Sequence, residues 1–381
     1  MMKKIAYLLL SALLIGCGQD KKEVSEVEIV GIPSEIEVFD MADVVKSVSV
    51  MQPEITDQSL ITSTSKVYRI DGIIYIGSEN AILVFGEDGS FIHRIEHQGS
   101  GPGEYVRLTD FDINEEAQTI FVLDNNAQQI LLYDLDGEFV KKINLNFWAI
   151  RIKAIGDNSV ALFSGNQTSS EVNIHKVNVI DTQSGEVQSK SLPIDPRKSE
   201  YLHMFSANNF STASGETLLA ELYNDTIYSI TSAESTPAYV LDFGSDKIPD
   251  SFYDNGFEDI MQFQEKFSAS SFSYGYNTIL NLGKGFLCSI YLNKKLHYFY
   301  HEADRNVVFD AFKLQEIFGN LNVNIREGKV RFAQNNNVLF ITIDSGYYQD
   351  HLDQISDEAL KQIVANMADD DNPIILVCRL N

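Results

Sequence analysis

The stretch that decides the fold runs from His97 to Phe139: HQGSGPGEYVRLTDFDINEEAQTIFVLDNNAQQILLYDLDGEF. It opens with a turn holding Gly99, Gly101 and Gly103. Three glycines in five residues let the chain reverse in a small space, and Pro102 fixes one φ. Glu104 and Tyr105 then lead towards a strand at Asp110 and Phe111. This is not a phosphate loop, because no Gly-Lys-Ser/Thr follows and a strand pattern comes next instead of a helix. Two apolar runs follow, and Asp136-Gly137 marks a hairpin, since glycine accepts the positive φ of such a turn.

The pattern repeats upstream. GIIYIGSENAILVFGEDGSFIHRI (72–95) matches QTIFVLDNNAQQILLYDLDGEFVKKI (118–143) strand for strand, apart from a two-residue turn insertion. Looser copies occupy 159–192, 215–244 and 285–310, and NNVLFITID (336–344) with PIILVCRL (373–380) forms a last pair. Six copies of a three- or four-strand unit, spaced roughly 40–70 residues apart, predict an all-β fold, a six-bladed β-propeller with short helical insertions. VVKSVSV (44–50) alternates apolar and polar residues ahead of the first full copy. It is the candidate outer strand that completes the last blade and closes the ring.

Two segments break the strand pattern. In 249–267, Phe257, Ile260, Met261 and Gln264 follow helical spacing; in 355–367, Ile355, Leu360, Ile363, Val364 and Met367 form a stripe with Ser356 as N-cap. Over 249–276, Tyr253, Phe257, Phe263, Phe267, Phe272, Tyr274 and Tyr276 make the first insertion dense in aromatics. They are either its core or, if exposed, a candidate recognition surface.

The N-terminus reads as an address. In MMKKIAYLLLSALLIGC, Lys3 and Lys4 precede an apolar Ile5–Ile15 run too short to span a bilayer stably. Leu14-Ile15-Gly16-Cys17 resembles the bacterial lipobox, which implies cleavage before Cys17 and diacylglycerol on its thiol. The expected organisation is a lipoprotein signal peptide at 1–16, a flexible tether at 17–34 and one propeller domain at 35–381. The expected location is the cell envelope, lipid-anchored at the outer membrane, with the periplasmic or surface face left open.

With these strands in place, the repeat resembles the NHL pattern. It is carried by Gly99, Gly101, Gly103, Tyr105, Ile120, Val122, Asp124, Ile130, Tyr133, Asp134 and Gly137. The Gly-Pro-Gly-Glu-Tyr form on a lipobox-bearing chain is similar to the six-bladed β-propeller lipoproteins of Bacteroidota. That resemblance implies architecture and location more than activity, and after residue 145 the Gly-rich turn is not repeated.

Composition sets limits. The 381 residues carry 29 Lys and Arg against 54 Asp and Glu, a formal net charge of −25. Nucleic acid binding needs clustered cations to displace counterions, so nucleic acid is excluded as a partner. Cys288 and Cys378 sit in apolar runs and read as buried thiols; a disulfide between them would need adjacent strands. His297 and His301 are four apart, but on a strand that spacing puts them about 13 Å apart, too far to share a metal. His93 and His97, near the Gly-rich turn, are candidates for the channel wall or for structural roles. No nucleophile elbow occurs. No catalytic residue, cofactor or metal is assigned; a divalent ion such as calcium in the central channel has no motif behind it. The expected function is a binding module for protein, peptide or glycan, and the alternative is a metal-dependent hydrolase or lyase acting in the channel.

Overall fold

A computed structural model describes residues 27–381 apart from 63, 65, 168–172, 200–207 and 369. Cys17 and the 1–16 segment therefore lie outside the described residues. The described strands form six sheets. Sheet 1 comprises β4 (Val67–Ile70), β5 (Ile73–Ser78), β6 (Ala81–Gly86) and β7 (Phe91–Ile95). Sheet 2 holds β8 (Asp110–Asn114), β9 (Thr119–Asp124), β10 (Gln129–Asp134) and β11 (Phe139–Asn144). Sheet 3 holds β12 (Arg151–Ile155), β13 (Ser159–Phe163), β14 (His175–Asp181) and β15 (Val187–Pro193). Sheet 4 is built on β16 (Phe210–Ala213), β17 (Glu216–Leu219), β18 (Thr226–Ile230) and β19 (Ser235–Asp242). Sheet 5 is built on β20 (Tyr274–Asn281), β21 (Phe286–Leu292), β22 (Lys295–Glu302) and β23 (Arg305–Lys313), with β24 (Asn322–Asn324) beside β23. These five follow the chain consecutively. Sheet 6 is composite: β25 (Arg331–Asn335), β26 (Val338–Thr342) and β27 (Ile375–Leu380) take β3 (Val45–Met51) from the other end of the chain.

Alternation explains why the sheets stack into a ring. Successive strand residues point to opposite faces, and both faces here are apolar. On β6, Ile82 and Val84 pack towards sheet 2, while Ala81, Leu83 and Phe85 pack towards sheet 6. On β9, Ile120 and Val122 face sheet 1, and Phe121 and Leu123 face sheet 3. A separate apolar cluster fills every junction from sheet 1 round to sheet 6 and back to sheet 1. The molecule is an all-β propeller. Cys288 packs between sheets 4 and 5 and Cys378 between sheets 5 and 6; both are buried and free.

The N-terminal segment runs along the rim as a belt. β1 (Glu28–Gly31) adds parallel to β19, β2 (Ile36–Asp40) adds parallel to β23, and β3 completes sheet 6. β1 falls within the segment read as a tether. Glu28–Gly31 is strand because Val30 is buried between sheets 4 and 5, and because its backbone satisfies an otherwise open sheet edge.

Both expected helices form, with shifted details. α1 (Ile260–Ala269) is capped by Asp259, whose side chain accepts from the Gln262 N–H at 2.8 Å. Its buried residues are Phe263 and Phe267; Ile260 and Met261 lie outside, Met261 68% exposed. Near the C-terminus, α2 (Gln315–Phe318) and α3 (Ser345–Asp350) precede α4 (Glu358–Asn366), which buries Leu360 and Val364. The cap of α4 is Asp357 instead of Ser356, whose hydroxyl donates to the carbonyls of Gln315 and Glu316 at 3.2 Å.

Candidate functional site

The innermost strand of each sheet faces the ring axis, and there the apolar pattern gives way to polar residues. Lys66, only 8% exposed, directs Nζ to Asp110 Oδ2 at 2.9 Å and to the carbonyls of Phe111 and Ile152 at 2.9 and 3.2 Å. Three acceptors satisfy the three donors of an ammonium group. Asp110 Oδ2 also accepts the Ile152 N–H at 2.9 Å. Asp112, fully buried, takes Tyr68 Oη and Lys153 Nζ on Oδ1 and the Ala154 N–H on Oδ2. Burial, followed by the Asp112 charge, holds the Tyr68 phenol well above its ordinary range.

This network bolts sheets 1, 2 and 3 together and occupies their carboxylates. Across the axis, Ser211 donates to Gln334 and accepts the Asn281 N–H at 2.8 Å, and Asn208 reaches the Phe332 carbonyl at 3.0 Å. The space left between Lys66, Tyr68, Lys153, Ser211, Leu280 and Gln334 is about 20 Å³. That volume holds about one water. Asp112 thus accepts three hydrogen bonds from protein donors, and the Asp110 oxygen that faces Lys66 accepts two. Among the described residues, no three His, Cys, Asp or Glu side chains group as a metal site.

The mouth formed by the turns between first and second strands is open. A cleft of about 530 Å³ is lined by Asn114, Glu115, Glu116, Lys153, Asp157 and Asn336, among others. A second hollow of about 420 Å³ adjoins it through Glu115, Asn335 and Asn336 and adds Arg69, Asp71 and Glu87. The cations are already engaged: Arg69 pairs with Glu87, and Lys153 with Asp112 at 3.1 Å. The carboxylates therefore set the sign of the groove. A hydrogen bond with Asp157, and then its charge, hold the Glu116 carboxyl above its usual range. Asn336 Nδ2 donates to Glu115 Oε2 at 3.1 Å, which fixes the wall.

The Gly-rich turn belongs to the opposite mouth and is built tightly. Tyr105 N–H donates to the His97 carbonyl and Gly99 N–H to the Tyr105 carbonyl, both at 2.9 Å. Glu104 folds back so that its Oε2 accepts the Gly101 N–H at 2.8 Å. A Cβ on Gly99 would lie 2.0 Å from that oxygen. Gly103 adopts φ +77°, a Cβ on it would lie 2.7 Å from Phe139 Cγ, and its carbonyl accepts from Tyr133 Oη at 3.0 Å. Pro102 sits at the exposed tip. His97 stacks on Tyr133 at 5.1 Å, so its role is structural, and His93 lies on β7, the strand of sheet 1 farthest from the axis.

The aromatic insertion packs on itself. Tyr253, Phe257 and Tyr274 are buried, while Phe272 and Tyr276 are half-buried against the same cluster. Its rings cover one another and the strands of sheet 5: Phe252 lies 5.1 Å from Phe272, Phe257 5.2 Å from Phe263, and Phe267 5.2 Å from Tyr274 of β20. The structure thus makes this group a satellite core, not an exposed patch. His297 and His301 are both buried on β22, and no signal in the sequence marked the groove residues Glu115, Glu116, Asp157 and Asn336.

The sequence pattern of one family matches residues 26–379, nearly the whole propeller. The chain belongs to the DUF4934 family, a domain of unknown function. This DUF4934 chain shares its fold with a candidate exported protein of Bacteroides fragilis NCTC 9343, at 18% identity and a TM-score of 0.73, over 93% of this chain and 99% of that one. It is also similar to a member of the DUF4221 family from Bacteroides vulgatus ATCC 8482, at 12% identity and a TM-score of 0.51, over 88% and 97% of the two chains. No curated protein matches the DUF4934 chain. Among the described residues, no helix is long and apolar enough to cross a membrane.

Proposed function

We propose that this chain is a lipid-anchored envelope protein whose propeller binds a protein, peptide or glycan partner at its groove-bearing mouth. The observation that carries this reading is the contrast along the axis. The centre is plugged by a satisfied network of about 20 Å³ residual space, while one mouth opens into a polar cleft of about 530 Å³. A rigid ring that presents loops is a recognition scaffold. The carboxylates of Asp71, Glu115, Glu116 and Asp157 suit a partner that offers basic or hydrogen-bond-donating groups. The lipobox at Leu14–Cys17 supports the anchor, the Gly99–Tyr105 turn supports an NHL-like blade series, and the exported relative agrees with an envelope location.

Crosslinking and capture from native envelopes tests the reading. Wild-type protein is expected to recover one stoichiometric partner, and Glu116→Lys with Asp157→Lys is expected to lose it. Equal recovery by both proteins would refute the groove as the binding face. A Cys17→Ala chain that still sediments with membranes would refute the anchor.

A further inference from the structure

The first strand of the belt is fastened to the ring by a histidine that faces two acceptors. β1 spans four residues with one buried side chain, Val30, so its hold on β19 is slight. Its lateral contact is with sheet 5. His301 on β22 is 3% exposed, with Nδ1 2.8 Å from Asn306 Oδ1 and Nε2 3.2 Å from Glu28 Oε1. The Asn306 amide is oriented by its own Nδ2, which donates to the Gly31 carbonyl at 3.0 Å. A carbonyl only accepts, so Oδ1 is the atom left to face the imidazole. An ionised Glu28 also only accepts. A neutral imidazole has one N–H and serves one of these partners; the imidazolium serves both.

We propose that His301, Asn306 and Glu28 form a proton-operated clasp that holds β1 on the rim when the imidazole carries both protons and loosens it when one leaves. The other surroundings fit this role. Tyr239 of β19 and Phe286 of β21 pack on the ring at 5.7 and 5.2 Å, and both are neutral. Beyond Tyr239, Glu216 of β17 adds negative charge. On β22 itself, Glu302 turns to Tyr300, and on β23 Arg305 turns to Asp43 of the belt, 2.6 Å away.

The clasped state binds one proton more than the open state. Its hold therefore strengthens as pH falls and weakens as pH rises. Taken with the anchor proposed at Cys17, release of β1 would free the eight residues from Glu28 to Glu35. These add at most about 28 Å of reach between lipid and ring.

Amide exchange on the full chain carrying Cys17→Ala, and so independent of lipidation, tests the clasp. Protection at Ile29–Gly31, corrected for intrinsic rates, is expected to be about tenfold higher at pH 5.5 than at pH 8. His301→Gln and, on the exposed side, Glu28→Gln are each expected to flatten that difference while β22 amides stay protected. Equal protection at both pH values in the parent chain would overturn the proposal, as would an undiminished pH dependence in Glu28→Gln.

Discussion

At the scale of single residues, the axis is held by buried charges satisfied by one another and by backbone groups. Lys66 and Asp110 are both buried and bonded to each other. Removing one partner of such a pair strands the other, at a typical loss of about 3–5 kcal/mol. Lys66→Met is therefore expected to destabilise the chain by about that amount in denaturant titration, and Lys66→Met with Asp110→Leu to recover most of it. Burial acts in the opposite sense on the thiols, pushing Cys378 up to about 12 and Cys288 further. Neither is expected to react with a disulfide reagent at pH 8 until the chain unfolds. The folded state holds these thiol protons more tightly than the unfolded one. Stability is then full below the ordinary thiol range and falls above about pH 9, by about 1.4 kcal/mol per thiol per pH unit.

At the scale of elements, the repeat from Gly89 to Gly137 was legible because its strands are apolar on both faces and its turns carry Asp-Gly. The innermost strands were harder to read. Asp110 and Asp112 on β8, Lys153 on β12, Ser211 on β16 and Gln334 on β25 point at the axis and break the alternation. Their partners lie on other sheets, which no local pattern reveals. The groove was illegible for the same reason: Glu116 and Asp157 sit on turns of different sheets. The VVKSVSV strand was found where alternation predicted it, as β3. The α1 stripe was misread because its burial is set by an aromatic cluster that Phe263 and Phe267 share with Tyr223 and Tyr274. Phe263→Ala is accordingly expected to cost about 3–5 kcal/mol in the folding of the insertion, and Met261→Ala less than about 0.5 kcal/mol. Local proteolysis of 249–273 would separate the two.

At the scale of the whole molecule, the ring is closed by pairing its two ends, β3 with β27, in six aligned residue pairs. Closure buries an edge that would otherwise invite association. A chain that begins after Met51 is expected to lose cooperative unfolding and to aggregate. One that begins after Gly31 should keep the ring and lose only the β1 contacts. Gel filtration and thermal melts distinguish these outcomes. A closed, plugged ring leaves its two mouths and its rim for function, and the groove gives one mouth a chemistry of its own.

The most direct test of that account is hydroxyl-radical footprinting of the protein in intact cells against the purified chain. The prediction is protection confined to the turns at 114–117, 156–158 and 335–337. Protection of the Gly99–Tyr105 mouth instead, or no protection at either mouth, would contradict it.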